Sequence, residues 1–358
     1  MRRRLVWLLG LLGAVALLAL LLRFSDFGEL QRRIRELDPT WVLAASICAI
    51  VSYSCIGLCQ RELLVLLGHE LPRKTMVRIG LVSTVINRHV RSGGASGLAS
   101  LTWLLRRHDV PAPVALSTMA AFGMLSNALF TLLLLVTAAV SSGRALGPEG
   151  AATASPRLVL VLVAASTSAS LIFLCVTLVS RRFRRRWMSA ATRVLAWLGE
   201  RVGRPGWKER FEEYFEGLDQ ALQRLLARPR ATLPAWGWAA LRITSSVACL
   251  ACCLRAIGQP LPVSGAVLTH AVAKFAGVSA FLPAGLGWVE GSMAGVLVLQ
   301  DVPYEAGLLT ALLHRAVYHL LPAAIALPAA LSVLPRMRAA ASAKGPESGE
   351  APKDQPPS

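Results

Sequence analysis

Two ionisable residues, Glu290 and Arg315, stand within apolar sequence in the last third of the chain. Glu290 closes the stretch Phe281-Leu-Pro-Ala-Gly-Leu-Gly-Trp-Val-Glu290, which separates the apolar runs 268–282 and 291–299. Neither run reaches the roughly 20 apolar residues that a spanning helix requires. Pro283, Gly285 and Gly287 interrupt the helix and free backbone polar groups. Such groups are tolerated at membrane depth only when buried in protein or lining a wet cavity. A carboxylate there costs a few kcal/mol or more, so a break followed by a charge reads as the lining of a path or binding site. Arg315 supplies an opposite charge. The pair is read as a bipolar site, with Arg315 taking phosphate and Glu290 an amine or a proton. A structural salt bridge that fixes helix packing is the competing reading. Tyr318, three residues past Arg315, either hydrogen-bonds the same ligand or serves as a packing aromatic.

A second polar island, Asn87-Arg-His-Val-Arg-Ser-Gly-Gly-Ala-Ser-Gly97, sits between the apolar arms of segment 76–105. Arg88 and Arg91 precede Ser92, Gly93 and Gly94, where backbone N–H groups and forked guanidinium groups could receive an anion. The alternative is two arginines snorkelling to the interface. Lys274 follows His270 by one helical turn, which favours a polar interior face. His314 and His319 are read as facing neighbouring helices. No paired catalytic carboxylates, Ser-His-Asp set, zinc spacing or phosphate loop is present, so neither an enzyme nor a cofactor is expected. The seven cysteines all lie in apolar runs, and Cys249-x-x-Cys252-Cys253 is read as small buried residues.

With 54% hydrophobic and only 16% charged residues, a soluble domain is not expected among the 358 residues. The net charge of +18 resides in arginines at the ends of apolar runs. That placement points to positive-inside topology and anionic lipid headgroups, and argues against nucleic acid as a partner.

The elements that must position these residues follow from the run lengths. Runs 5–22, 41–59, 113–140, 157–179, 233–257 and 306–334 are long enough to cross. The sequence therefore predicts an all-α integral membrane protein with about six full transmembrane helices plus two re-entrant helical hairpins. Phe24, Phe27, Leu30, Ile34 and Leu37 recur at helical spacing in an interfacial helix. The transmembrane domain covers 1–335 and contains a cytoplasmic amphipathic insert at 181–232. Residues 336–358 form a disordered cytoplasmic tail. Asp109-Val-Pro111 recurs as Asp301-Val-Pro303, an offset of 192 at which Gly93 meets Gly285 and Thr118 meets Thr310. Each copy follows a glycine-broken hairpin and precedes a long helix, and the two hairpins enter from opposite sides. An inverted repeat is expected, the usual plan of alternating-access carriers.

Pro283-Ala-Gly-Leu-Gly-Trp-Val-Glu290, with Leu313-His-Arg315-Ala-Val-Tyr318 and Pro322 beyond it, resembles the signatures of a known family. That family is the lysylphosphatidylglycerol synthase transmembrane region, also called the flippase-like domain family. Asn87-x-x-x-Arg91-Ser-Gly-Gly94, followed by Leu104-Leu105-Arg106, is similar to its first glycine motif. Val90 stands where the family usually has a proline. Only a short tail follows Pro335, so the family's aminoacyl-transferase step is expected to be absent. The resemblance implies translocation of a lipid or lipid-linked headgroup between leaflets.

The expected partners are membrane lipids with anionic or zwitterionic headgroups, and a homo-oligomer is compatible with the sequence. The rival reading is a non-transporting scaffold or partner subunit of a soluble or membrane biosynthetic enzyme. The expected location is the inner membrane, with both termini cytoplasmic.

Overall fold

The computed structural model describes residues 26–89, 95–143, 180–201, 228–279 and 285–328, together with Arg23 and isolated helical positions across 161–176 and 212–227. Regular structure among the described residues is entirely helical. In chain order the helices are α1 (Phe27–Arg35), α2 (Pro39–Leu66), α3 (Arg73–His89), α4 (Ala95–Arg106), α5 (Ala112–Gly143) and α6 (Arg181–Arg201). A short 3-10 turn, Pro229–Thr232, then leads into α7 (Leu233–Ala256), α8 (Val263–Ser279), α9 (Trp288–Val298) and α10 (Tyr304–Arg315). Beyond Arg315 the last helix widens into a π turn at Ala316–Leu320 and runs on to residue 328.

Four helical segments are long and apolar enough to cross a membrane: Pro39–Leu66, Ala112–Thr137, Pro229–Ala256 and Tyr304–Pro328. They correspond to four of the runs read from the sequence. Run 41–59 is extended at its end, because Gln60, Arg61 and Glu62 continue the helix instead of stopping it. Arg61 Nη1 pairs with Glu62 Oε1 at 2.9 Å while its Nε donates to the Leu71 carbonyl. Run 5–22 and the tail 336–358 lie outside the described residues, as do most of run 157–179 and most of the second half of the 181–232 insert. Leu43, Ile47 and Ile50 on α2, and Leu132, Leu135 and Val136 on α5, form exposed apolar stripes. Their helical spacing marks the faces suited to lipid.

Local chemistry explains where each helix begins and ends. Asp26 Oδ1 accepts the Gly28 and Glu29 N–H groups at the start of α1. Asp38 Oδ1 accepts Thr40 N–H at 2.8 Å, with Pro39 in the first turn of α2. At the end of α2, Gly68 takes φ +89° and His69 N–H reaches back to the Leu64 carbonyl. At the end of α7, Gly258 takes φ +74° and Gln259 N–H reaches the Leu254 carbonyl. Both ends are Schellman caps, which the left-handed glycine makes accessible.

The recurrent Asp-Val-Pro has the same physical basis. Asp109 and Asp301 adopt φ +57° and +62°, a region that aspartate tolerates better than most residues. The following valine N–H groups close onto Leu105 and Leu297, and each valine side chain packs beside that leucine. Proline then opens the next helix. Asp-Val-Pro is thus a helix stop, a hydrophobic latch and a helix start in three residues.

The agreement between the two parts of the chain goes beyond this motif. Pro39–Leu66 and Pro229–Ala256 each span 28 residues, and α3 and α8 each span 17. Thr118 and Thr310 both bond the carbonyl four residues earlier. The long helices α2 and α7 pack side by side in opposite directions. Cys59 Sγ reaches the Ala235 carbonyl at 3.3 Å, Ser52 Oγ donates to the Arg242 carbonyl at 3.1 Å, and Ala45 and Ala49 lie against Cys249 and Cys253. Small residues along this seam let the backbones approach. The six described cysteines are unpaired thiols.

The short helices are attached just as closely. A side chain at Gly57 would run into the Met76 carbonyl and the Val77 Cα of α3, while one at Gly80 would meet Gly57 at 2.7 Å. At the end of α3, Asn87 lies over Gly97 of α4, where an added Cβ would meet it at 2.6 Å. Gly57→Ala is therefore expected to destabilise by about 1–3 kcal/mol through overpacking. Gly237→Ala, with open space around it, should be neutral or gain about 0.5–1 kcal/mol. Thermal unfolding of both variants in detergent checks the pair; equal behaviour would disprove the close α2–α3 contact.

Candidate functional site

Glu290 occupies the first turn of α9 and is 1% exposed. Two glycines in left-handed backbone, Gly285 at φ +64° and Gly287 at φ +78°, turn the chain into that helix. Gly287 N–H donates to Glu290 Oε2 at 2.7 Å, and Arg315 Nη1 meets the other oxygen at 2.5 Å. The carboxylate is thus satisfied on both sides and sits at a helix N-terminus, where negative charge is favoured. Arg315 arrives from the last turn of α10. Removing either partner of such a buried pair costs about 3–5 kcal/mol, because the survivor is left uncompensated.

Immediately beyond Arg315 the helix changes pitch. Pro322 has no N–H to offer the Tyr318 carbonyl, and its ring crowds that oxygen. The backbone widens instead, with Leu321 N–H bonding the Ala316 carbonyl. π turns of this kind recur at functional sites. Here the turn carries Tyr318 and His319 into the protein interior. Tyr318 Oη and Ser52 Oγ are 2.9 Å apart. The Tyr318 ring stacks on His314 at 5.1 Å and meets Tyr53 edge-on at 5.5 Å.

Arg88 enters the same cluster from the end of α3. Its guanidinium lies 5.3 Å from the Tyr53 ring and 5.0 Å from the Tyr318 ring. Its Nη1 is 2.7 Å from His319 Nδ1. A guanidinium only donates, so Nδ1 is the acceptor and the imidazole carries its proton on Nε2. Lys274 Nζ lies 3.8 Å over Phe130, which also flanks His270. His270 contacts Ser246 Oγ through Nε2 at 3.2 Å, and its ring lies 6.5 Å from His314.

Arg242 completes the set and was not singled out from the sequence. It stands mid-way along run 233–257, its guanidinium 5.6 Å from Phe122. The signal for it was the one that identified Glu290, a charge inside an otherwise apolar span. Ser52 and Tyr53 gave no comparable signal, because a serine and a tyrosine in a leucine-rich helix are unremarkable. His314 and His319 do face neighbouring helices, but His319 does so as the acceptor for Arg88.

Of the residues read as a site, Glu290, Arg315, Gly285 and Gly287 come together at the α9–α10 junction. Arg88 and Tyr318 meet in the aromatic cluster, with Lys274 approaching through Phe130. Arg91, Ser92, Gly93, Gly94 and Pro283 lie outside the described residues. The two groups are joined by α10, which contributes Arg315 to one and His314, Tyr318 and His319 to the other.

The charge balance of this centre is uneven. Glu290 is the one fully buried carboxylate among the described residues, whereas Arg88, Arg242, Lys274 and Arg315 are all set into the helical assembly. Cation–π contacts return about 0.5–2 kcal/mol each. The effective penalty for withdrawing an ion from water is several kcal/mol. Aromatic faces alone do not offset it. No group of three or more residues among those described is arranged to hold a metal ion.

No curated protein shows significant similarity to the chain. The lysylphosphatidylglycerol synthase TM region family, in contrast, matches residues 7–326, which include α1 to α5, α6 to α9 and nearly all of α10 with its extension. By a match over most of its length, including both the Gly287–Glu290 turn and the Arg315–Tyr318 segment, this chain belongs to the lysylphosphatidylglycerol synthase TM region family.

Proposed function

We propose that this protein moves a phospholipid or lipid-linked headgroup between the leaflets of the cytoplasmic membrane, through a polar path between two broken-helix hairpins. Family membership supports a membrane lipid-related role. The observation that carries the step to translocation is the buried Glu290–Arg315 pair beside a polar aromatic cluster. Charges at that depth are costly and mark substrate or ion pathways.

The proposed architecture is an inverted repeat with about six crossings and two re-entrant hairpins, α3–α4 and α8–α9. Three features support it: the four hairpin helices of 17, 12, 17 and 11 residues are all short for a full crossing; the elements before and after them match in order and in capping; and the matching helices α2 and α7 run antiparallel. A two-fold axis in the membrane plane requires such a pair. Ser52 and Arg242, which touch, are themselves equivalent positions 190 residues apart, as are Pro39 and Pro229. The axis is therefore proposed to pass through that contact. Residues 1–335 form the transmembrane domain, 181–232 a cytoplasmic insert and 336–358 a cytoplasmic tail, with both termini inside. In this reading the protein is a carrier and not an enzyme, and lipids are its substrates.

A second reading has α6 as a docking surface for a biosynthetic enzyme, favoured by its run of arginines and by exposed Val194 and Trp197. Deleting residues 181–230 separates the two: a carrier keeps moving lipid in vesicles, whereas a scaffold loses its partner and had no transport to lose.

The site itself is tested by charge reversal in a reconstituted translocation assay. Arg315→Glu and Glu290→Arg are each expected to lower the rate at least tenfold, and the double reversal to recover part of it. Full activity in both single variants would remove the site from the mechanism. Tyr318→Phe, which loses the hydroxyl and its contacts to Ser52 and Arg88, should cost about 1 kcal/mol of stability and a few-fold in rate.

A further inference from the structure

We infer that Arg88, Arg242 and Lys274 form a receptor for a phosphate-type oxyanion, so that the headgroup handled here is an anionic phosphodiester and not a zwitterion. The inference rests on the carrier reading and names its substrate class. Glu290 is already taken up by Arg315 and Gly287 N–H. Among the described residues this leaves Arg88, Arg242 and Lys274 with no carboxylate: Arg88 has aromatic rings and a neutral imidazole, Arg242 and Lys274 have phenylalanine faces. Arg242 stands near enough to each of the other two for their charges to interact. Arg242 feels the charge of Arg88, and Lys274 feels that of Arg242. Like charges gathered in a low-dielectric interior call for a counter-anion, which no described residue supplies.

Hydrogen-bonding groups accompany the charge. Arg242 Nε, Tyr53 Oη and His314 Nε2 are buried with no hydrogen-bond partner among the described residues. They belong to three different helices. Tyr53 packs edge-on against Tyr318, His314 stacks on it, and Arg242 is tied to it through Ser52. Donors brought beside Tyr318 from different helices suit a tetrahedral oxyanion with several acceptor oxygens better than a single point charge. The Ser52–Arg242 contact also lies where the proposed two-fold axis crosses α2 and α7. Groups on the axis move least when two halves exchange positions, so the backbone that carries Arg242 stays near its place while access alternates.

The test uses the full-length protein in detergent and in nanodiscs, with phosphatidylglycerol, phosphatidylcholine and inorganic phosphate as probes. Phosphatidylglycerol is expected to bind at least tenfold more tightly than phosphatidylcholine by native mass spectrometry, and to raise the unfolding temperature. Lys274→Met and Arg242→Gln should each reduce that preference several-fold. Lys274→Met should also raise the unfolding temperature of the lipid-free protein, an outcome that misfolding does not produce. Competition by inorganic phosphate would show that the oxyanion alone is read; selective phosphatidylglycerol binding without such competition would show that the site reads it as part of the lipid. Equal binding of both lipids, or a preference unchanged by Lys274→Met, overturns the inference. Fluorescent lipid translocation in vesicles keeps the two levels apart. Selective binding without movement sinks the carrier reading alone, and indifferent movement of both lipids sinks the anion receptor alone.

Discussion

Charge held away from water is the constraint to which the rest of this molecule answers. Glu290 can stay ionised only because a backbone N–H and a guanidinium meet its two oxygens. Each contact makes a demand on the fold. The N–H must come from a residue in left-handed backbone, which requires glycine at 287. The guanidinium must come from a separate helix ending at the right height, which α10 provides because Asp301-Val302-Pro303 stops α9 and starts α10 within three residues. The ion pair and the helix–turn–helix geometry are therefore two descriptions of one arrangement.

The same logic explains why the two long helices α2 and α7 are built from small residues where they cross. Bringing Ser52 against the Arg242 backbone requires helix axes near enough for a side chain as short as serine's to bridge them. Alanine and cysteine along the seam, and Gly57 against Gly80 one helix over, give that closeness. In a bilayer there is no hydrophobic force between helices, so van der Waals contact and interhelical hydrogen bonds carry the association. The polar centre and the tight seam reinforce each other.

The π turn links the two parts of the centre. An ordinary helix would place Tyr318 nearly one turn from Arg315 on a shared face, as the spacing predicts. The widened turn accompanies a different outcome: Arg315 is directed to Glu290 on α9, while Tyr318 reaches Ser52 on α2. Pro322, four residues past Tyr318, is the local cause. A proline in a membrane helix thus spreads adjacent side chains over two partners.

Much of this was legible in the amino-acid order. Apolar run lengths located the four described spans to within a few residues, and the one clear misjudgement, ending a helix at Cys59, came from treating charge as a stop signal when the stop is Gly68. Glu290, Arg315, Arg88 and Lys274 could be found because an ionisable residue in apolar sequence is conspicuous by itself, and Arg242 carried the same mark. Asp-Val-Pro could be recognised as a repeat, since capping is local chemistry written in adjacent residues. What required tertiary structure was partnership. Nothing in the order of residues joins Ser52 to Tyr318, 266 positions away, or turns Arg88 toward His319 and two tyrosine rings. Those contacts depend on which helix faces pack and at what height, a property of the whole assembly that periodicity along one helix does not encode.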